Sequence, residues 1–243
     1  MSVLSALPFP RFRRDRASVV APLPVPDTVG ARPAFDLSAQ LGADAWSRLP
    51  ADVQRRFGPG HAANTYTGRL TLRCSPAGRV FAAAARLFGR PLLGFSARAL
   101  PAVVKVYADD RGDMVWERFV QPPGGGAPQV VRSVKTVGAH GGVVERTDGG
   151  LGMSLDVVEE HGALVFRSHA YWLALGRWRL PLPMLLSPGV CRVAHTDLGH
   201  GLFDFTLDFH HPVWGHTFHQ SGVFVDPFAG RDDAGSVGEG SAR

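Results

Sequence analysis

The chain has 243 residues, 45% of them hydrophobic and 19% charged, which supplies enough apolar material for a sizeable core and rules out wholesale disorder. Its net charge of +5 rests on 26 basic residues, all arginine except Lys105 and Lys135; the dense run Arg11–Arg16 is not followed by arginines interleaved with exposed aromatics, so no nucleic-acid partner is expected. No run of about 18 uncharged apolar residues predicts a membrane span, and two cysteines, Cys74 and Cys191, exclude a disulfide framework or a four-thiolate zinc site.

Residues 1–35 read as a flexible Pro- and Arg-rich arm, with Arg11, Arg13, Arg14 and Arg16 ahead of the segment VVAPLPVP. Its charges follow a short apolar stretch instead of preceding it, unlike a signal peptide. With few cysteines, this suggests the cytoplasm. A single globular domain is expected over 36–228. Leu37, Leu41, Ala45, Trp46 and Leu49 recur at helical spacing up to Pro50, and Val53 and Phe57 suggest a second helical turn stopped by Gly58-Pro59-Gly60. A third helix is predicted over Arg79 to Phe88, with Val80, Ala83, Ala84 and Leu87 as its apolar face and Gly89 as its cap.

Beyond Leu100 nearly everything reads as strand. Val103–Tyr107 and Met114–Val120 form a hairpin signal; Gln129–Thr136, Gly142–Arg146, Gly152–Val158 and Ala163–Leu173 continue the meander. A Pro-rich bend, Leu180-Pro181-Leu182-Pro183, leads to Val190–Ala194. Phe203, Phe205, Leu207 and Phe209 then alternate with Asp204, Thr206, Asp208 and His210, a half-buried strand. Val213–Val225 closes the series, and 229–243 reads as a disordered tail. The predicted fold is α+β, mainly β: a curved antiparallel sheet or partly open barrel with two or three N-terminal helices. The glycine clusters lack the strand–GxGxxG–helix setting of a dinucleotide site, and no cofactor is predicted.

Chemistry is sparse. On strand Met114–Val120, period 2 puts Trp116 and Arg118 on one face and Glu117 on the other, so an ionised group goes inside with either face. A guanidinium in an apolar cavity is a good carboxylate or phosphate clamp; the bland alternative is a structural pair, for example with Glu145. Arg167 and His169 form a second polar pair, placed by the same period on the face of Val165 and Tyr171. Trp116, Arg118, Glu145, Arg167, His169 and Tyr171 are the candidate ligand-binding residues. Five of the ten histidines lie at 200, 210, 211, 216 and 219. No HxH or HExxH spacing fixes two of them on one face, although His216 and His219 could meet across a bend, so no metal site is predicted. No serine sits in a GxSxG elbow, and Cys191 reads as core.

One further pattern runs through most of the chain: Leu41-Gly42, Trp46, Leu49-Pro50 and Phe57-Gly58; Tyr66-Thr67-Gly68; Trp116-Glu117-Arg118-Phe119; Leu180-Pro181-Leu182-Pro183 with Pro188; Phe203-Asp204-Phe205; Pro212 with Gly215. Over about 38–225 this order resembles a bacterial family of unknown function whose members stand alone or follow a saccharopine-dehydrogenase-like NAD(P)-binding module. The resemblance implies a stand-alone domain working beside oxidoreductases on small or lipid-like metabolites. Where that family tends to show Tyr-x-Gly, this chain has Gln220-Ser221-Gly222.

Three readings follow. The first is a binding module holding a small hydrophobic or amphipathic ligand in a pocket of the sheet. The second is an enzyme using that pocket, with an acid–base pair from His169, Glu117, Glu145 and Asp208. The third is an accessory domain docked on a separate oxidoreductase. A dry cavity with one arginine favours the first, a cavity with two or more titratable groups the second, and a filled interior beside an exposed apolar patch the third.

Overall fold

The computed structural model describes residues 35–58, 63–139 and 141–228; the tail at 229–243 and all of the arm except Phe35 lie outside them. Three short helices, α1 (Leu37–Leu41), α2 (Ala43–Ser47) and α3 (Ala51–Phe57), precede β1 (Asn64–Cys74) and α4 (Pro76–Ala85), which tightens into a 3₁₀ turn at Arg86–Phe88. Ten more strands follow: β2 (Ala97–Ala108), β3 (Met114–Val120), β4 (Gln129–Val137), β5 (Val143–Thr147), β6 (Leu151–Glu160), β7 (Ala163–Leu175), β8 (Trp178–Leu182), β9 (Val190–Gly199), β10 (Leu202–His211) and β11 (Gly215–Val225). Among the described residues no helix is long and apolar enough to cross a membrane.

All strand pairings are antiparallel. The order β6-β5-β4-β3-β2-β1-β11-β10-β9-β7 is closed by a β6–β7 pairing, giving a ten-stranded barrel without free edges. β8 hangs outside this ring. β7 divides one edge between two partners, giving Leu164–Arg167 to β9 and Tyr171–Leu175 to β8. Pro181 is tolerated in β8 because an edge strand needs fewer amide donors. The seam between β1 and β11 is tight. A Cβ at Gly68 would lie 2.7 Å from the Phe224 ring and 2.3 Å from the Val223 carbonyl oxygen, so only glycine lets that ring lie across β1.

The strand alternation of β10 holds, with Phe203, Phe205, Leu207 and Phe209 buried inside the barrel. β1 and β8 were not anticipated. In β1 the signal was present, since Tyr66, Leu70, Leu72 and Cys74 alternate with Thr65, Thr67, Arg69, Thr71 and Arg73. The ends of the barrel are covered by helices. α1–α3 plug one end with Leu37, Val53 and Phe57, all buried. Arg55 and Arg56 fasten α3 to Asp226 at the exit of β11, at 3.1 and 3.2 Å. Burial would push the Asp226 carboxyl up; the two arginines and the Phe228 amide outweigh it and hold it below the usual range.

α4 covers the opposite end, but not with the expected face. Val80, Ala83 and Leu87 point outward, Val80 and Leu87 being 69% and 84% exposed, and Ala84 is exposed at the rim of the space under the helix. Gly78, Ala82 and Ala85 face the barrel instead. The reason is proximity: a Cβ at Gly78 would come within 2.2 Å of the Thr217 carbonyl oxygen, so only glycine fits where the helix crosses that strand. Phe35, assigned to the arm, is also core, with its amide bonded to the Gly112 carbonyl.

The two faces of β10 should separate in urea unfolding. Phe203 meets Tyr66, Phe224 and the Arg56 guanidinium, so Phe203→Ala should cost about 3–5 kcal/mol. Thr206→Ala, on the outer face, should cost about 0.5 kcal/mol or less. Equal costs would refute the assignment of inner and outer faces.

Candidate functional site

The interior is layered from the α1–α3 end upward. Phe57 of α3 enters the barrel and stacks on Trp116 at 5.8 Å, with its edge to His195 at 4.8 Å. Trp116, Phe166, His195 and Phe205 complete an aromatic layer. Three charged side chains lie upon it. Lys135 and Glu145 are direct cross-strand neighbours on β4 and β5, with Nζ 3.1 Å from Oε2. The same ammonium lies 5.1 Å from the Trp116 ring and 5.3 Å from that of Phe166, a cation–π setting. Arg118, one strand further round, has its guanidinium 5.9 Å from the Phe205 ring. Above these groups a cavity of about 390 Å³ extends to the underside of α4 and to β8, walled by Phe81, Leu92, Met153, Leu173 and Leu207.

The electrostatics follow from burial. Desolvation alone would raise the Glu145 carboxyl, but Lys135, Ser133 and Arg118 together hold it below its usual value, so it stays ionised. Burial pulls the Arg118 guanidinium below its ordinary pKa, and Glu145 opposes the shift. Arg118 nonetheless has no hydrogen-bond or ion-pair partner among the described residues. Its remaining accessible surface faces the cavity. His195 is driven well below its ordinary value, first by burial and then by Lys135, Arg56 and Arg118, so it is neutral. Its Nδ1 has no hydrogen-bond partner among the described residues. The floor therefore carries two cations, one anion and a neutral imidazole.

Of the residues singled out from sequence, Trp116, Arg118, Glu145 and Tyr171 come together around this cavity, whereas Arg167 and His169 do not. Arg167 is half exposed on the outer face and pairs with Glu160 at 2.5 Å; His169 is likewise outside, 3.3 Å from Asp156. The expectation that both share a face with Tyr171 fails because of a β-bulge. Leu155 pairs with Ser168 but Ser154 with Ala170, so β7 carries one extra residue and Tyr171 turns inward. There the phenol donates to the Gly189 carbonyl at 2.7 Å. The Ser168 hydroxyl is 2.8 Å from the phenol oxygen and accepts from the Cys191 amide. With its single proton spent on Gly189, Tyr171 stitches β7 to β9 and offers no donor to a ligand. The Arg118–Glu145 pair is likewise replaced, since Lys135 takes Glu145.

Glu117 and Asp208, named as acid–base candidates, lie on the outer face, Glu117 bonded to the Tyr107 hydroxyl and Asp208 to two histidines. Lys135, His195 and Gln220 were missed although all three line the cavity. Lys135 carried a signal, being one of only two lysines and sharing a strand face with Val131 and Ser133. His195 stood one residue beyond the predicted end of its strand.

His195 should leave a mark on the pH dependence of stability. In the unfolded chain it takes up a proton as pH falls through about 6.5, and in the barrel it refuses one, so stability is full above that value and declines below it by about 1.4 kcal/mol per pH unit. Urea unfolding of wild type and His195→Leu should differ by a constant above about pH 7, with the difference changing at that slope below about pH 6. Parallel curves would show that the buried imidazole is protonated in place.

Comparison with known proteins adds a family and nothing further. No curated protein and no solved structure matches the chain. The model of the family described as Domain of unknown function (DUF4166) matches residues 49–224, which spans α3 to β11 and with them the whole barrel and its charged floor. The chain belongs to this domain-of-unknown-function family.

Proposed function

We propose that the barrel binds a small amphipathic molecule with a single negative charge, its head group against Arg118 and its apolar part in the cavity above. One observation carries this reading: a guanidinium inside the protein, lining an apolar cavity, without a hydrogen-bond or ion-pair partner among the described residues. An unpaired buried charge is expensive, and a ligand anion offsets that cost with charge-assisted hydrogen bonds. With Lys135 and Glu145 neutralising each other and His195 uncharged, the floor has one positive charge left over, which favours a monoanion such as a carboxylate. A volume of about 390 Å³ lies within the range of small-molecule sites. The interior is not filled, which weighs against the accessory-domain reading. A carrier of this kind suits a setting beside an oxidoreductase of lipid-like metabolites, as the resemblance to fused bacterial relatives implies. A cytoplasmic location fits two buried free thiols.

A second reading, acid–base catalysis in the same cavity, is favoured by His195, neutral and with an unbonded Nδ1 next to the Lys135–Glu145 pair. By the number of titratable groups in the cavity alone it would rank first. Binding ranks above it because Lys135 and Glu145 are committed to each other.

Calorimetry with dodecanoate and with dodecanol tests the binding reading. Dodecanoate should bind, and Arg118→Met should weaken it by about 10–100-fold, the worth of a charged hydrogen bond. Dodecanol affinity should be unchanged. Arg118→Met should not lower the unfolding free energy, since it removes an uncompensated charge and strands no close partner; a loss of about 3–5 kcal/mol would make Arg118 a structural partner of Glu145. Failure of dodecanoate to bind, or equal weakening of acid and alcohol, would count against the head-group assignment.

A further inference from the structure

A second cluster lies on the outer surface of the barrel, on the β10–β11 hairpin. Alternation along β10 sends Asp208 and His210 outward, opposite the buried Phe209. On β11, His219 is the direct partner of Asp208. His216 stands three residues before it, and in an unbroken strand a spacing of three would put the two imidazoles on opposite faces. The strand is broken. Phe209 pairs with Phe218 and His210 with His216, which leaves Thr217 as an extra residue. Its side chain is fully buried, and its hydroxyl lies 2.5 Å from the Pro188 carbonyl oxygen and 3.3 Å from that of Phe209. This bulge turns His216 to the outside beside His219, and bulges recur where a side chain is re-aimed for a site.

The outcome is a convergence of three donor atoms. Oδ1 of Asp208 lies 2.8 Å from Nε2 of His216 and 2.7 Å from Nδ1 of His219, and all three atoms fall within 4.8 Å of one another. Ligand atoms held about 2.0–2.2 Å from one tetrahedral metal ion are spaced about 3.3–3.6 Å apart, so admitting an ion requires these contacts to open by roughly 0.5–0.9 Å. His216 is more than half exposed and free to make that adjustment. Two flanking cations face the group. Arg192, opposite Asp208 on β9, is engaged by Glu160 at 2.8 Å, and Arg73, opposite His219 on β1, remains beside it.

We propose that Asp208, His216 and His219 bind a divalent transition-metal ion. Two imidazoles and one carboxylate select zinc and its first-row neighbours over magnesium or calcium, which prefer all-oxygen shells. Three protein ligands leave at least one position to water, the pattern of an open site and not of a closed structural one. His210, with its ring 6.4 Å from that of His216, stands where it can approach such a water. This site is independent of the cavity, which lies inside the barrel.

The test is calorimetric titration of the untagged, chelator-stripped full chain with zinc chloride at about pH 7.5. One zinc per chain should bind, and magnesium should not. Asp208→Asn, His216→Gln and His219→Gln should each weaken binding by more than the roughly 10–100-fold that loss of an outer-shell partner costs. His169→Gln, which changes another outer-face histidine beside a carboxylate, should leave affinity unchanged. Unfolding curves of the metal-free variants, expected to match wild type, exclude misfolding as the cause. Absence of binding would overturn the proposal. So would zinc binding that survives all three substitutions or falls equally in His169→Gln, which would mark adventitious binding to surface histidines.

Discussion

Closing ten strands into a ring leaves the barrel itself without a free edge and withdraws Lys135, Glu145 and most of Arg118 from water. That exclusion of water governs the interior. Lys135 and Glu145 are held at 3.1 Å because neither could stay ionised alone in such surroundings. His195 gives up its proton for the same reason, crowded by three cations and five aromatic rings. Among the described floor residues, Arg118, whose pKa is too high to be neutralised by burial, keeps a charge without a close counter-charge. The cavity is where that imbalance can be relieved by something from outside.

The helices complete the same arrangement from both ends. α3 drives Phe57 into the aromatic layer and is fixed there by Arg55 and Arg56 on Asp226. Its ring becomes the lower support for Trp116 and His195, on which the charged floor rests. α4 does the opposite work. Its glycine and alanine face lets it lie close over Thr217 while leaving the space beneath open, so the same barrel has a packed end and a hollow one. A side chain at Gly78 would have lifted the helix off β11.

Two β-bulges determine which polar residues meet. The extra residue in β7 separates Tyr171 from Arg167 and His169 and sends the phenol inward, where it joins Ser168, Gly189 and the Cys191 amide. The extra residue in β11 brings His216 and His219 to one face. Each moves side chains three residues apart in sequence onto a common face, which a regular strand forbids. The first shapes the wall of the cavity and the second the outer histidine cluster.

What the sequence determined by itself was local. The period-2 pattern of Phe203–Phe209, the hairpin around Gly112, the strand Met114–Val120 and the glycine stop at Gly89 depend on neighbours along the chain, and all stand in the structure. So does the pairing of Trp116 with Arg118 on one inner face, and hence the strongest binding candidate. Tertiary structure decided the rest. Periodicity tells which residues share a face, but not which face the closed ring encloses, nor where one inserted residue reverses the alternation. The inward turn of Tyr171, the outward placement of Arg167 and His169, the choice of Lys135 as partner for Glu145 and the small-residue face of α4 all depend on backbones distant in sequence coming within a few ångströms. His195 became a floor residue only when β9 met both β7 and β10, because a histidine at the end of an apolar strand has no assigned side until its neighbours on both edges are in place.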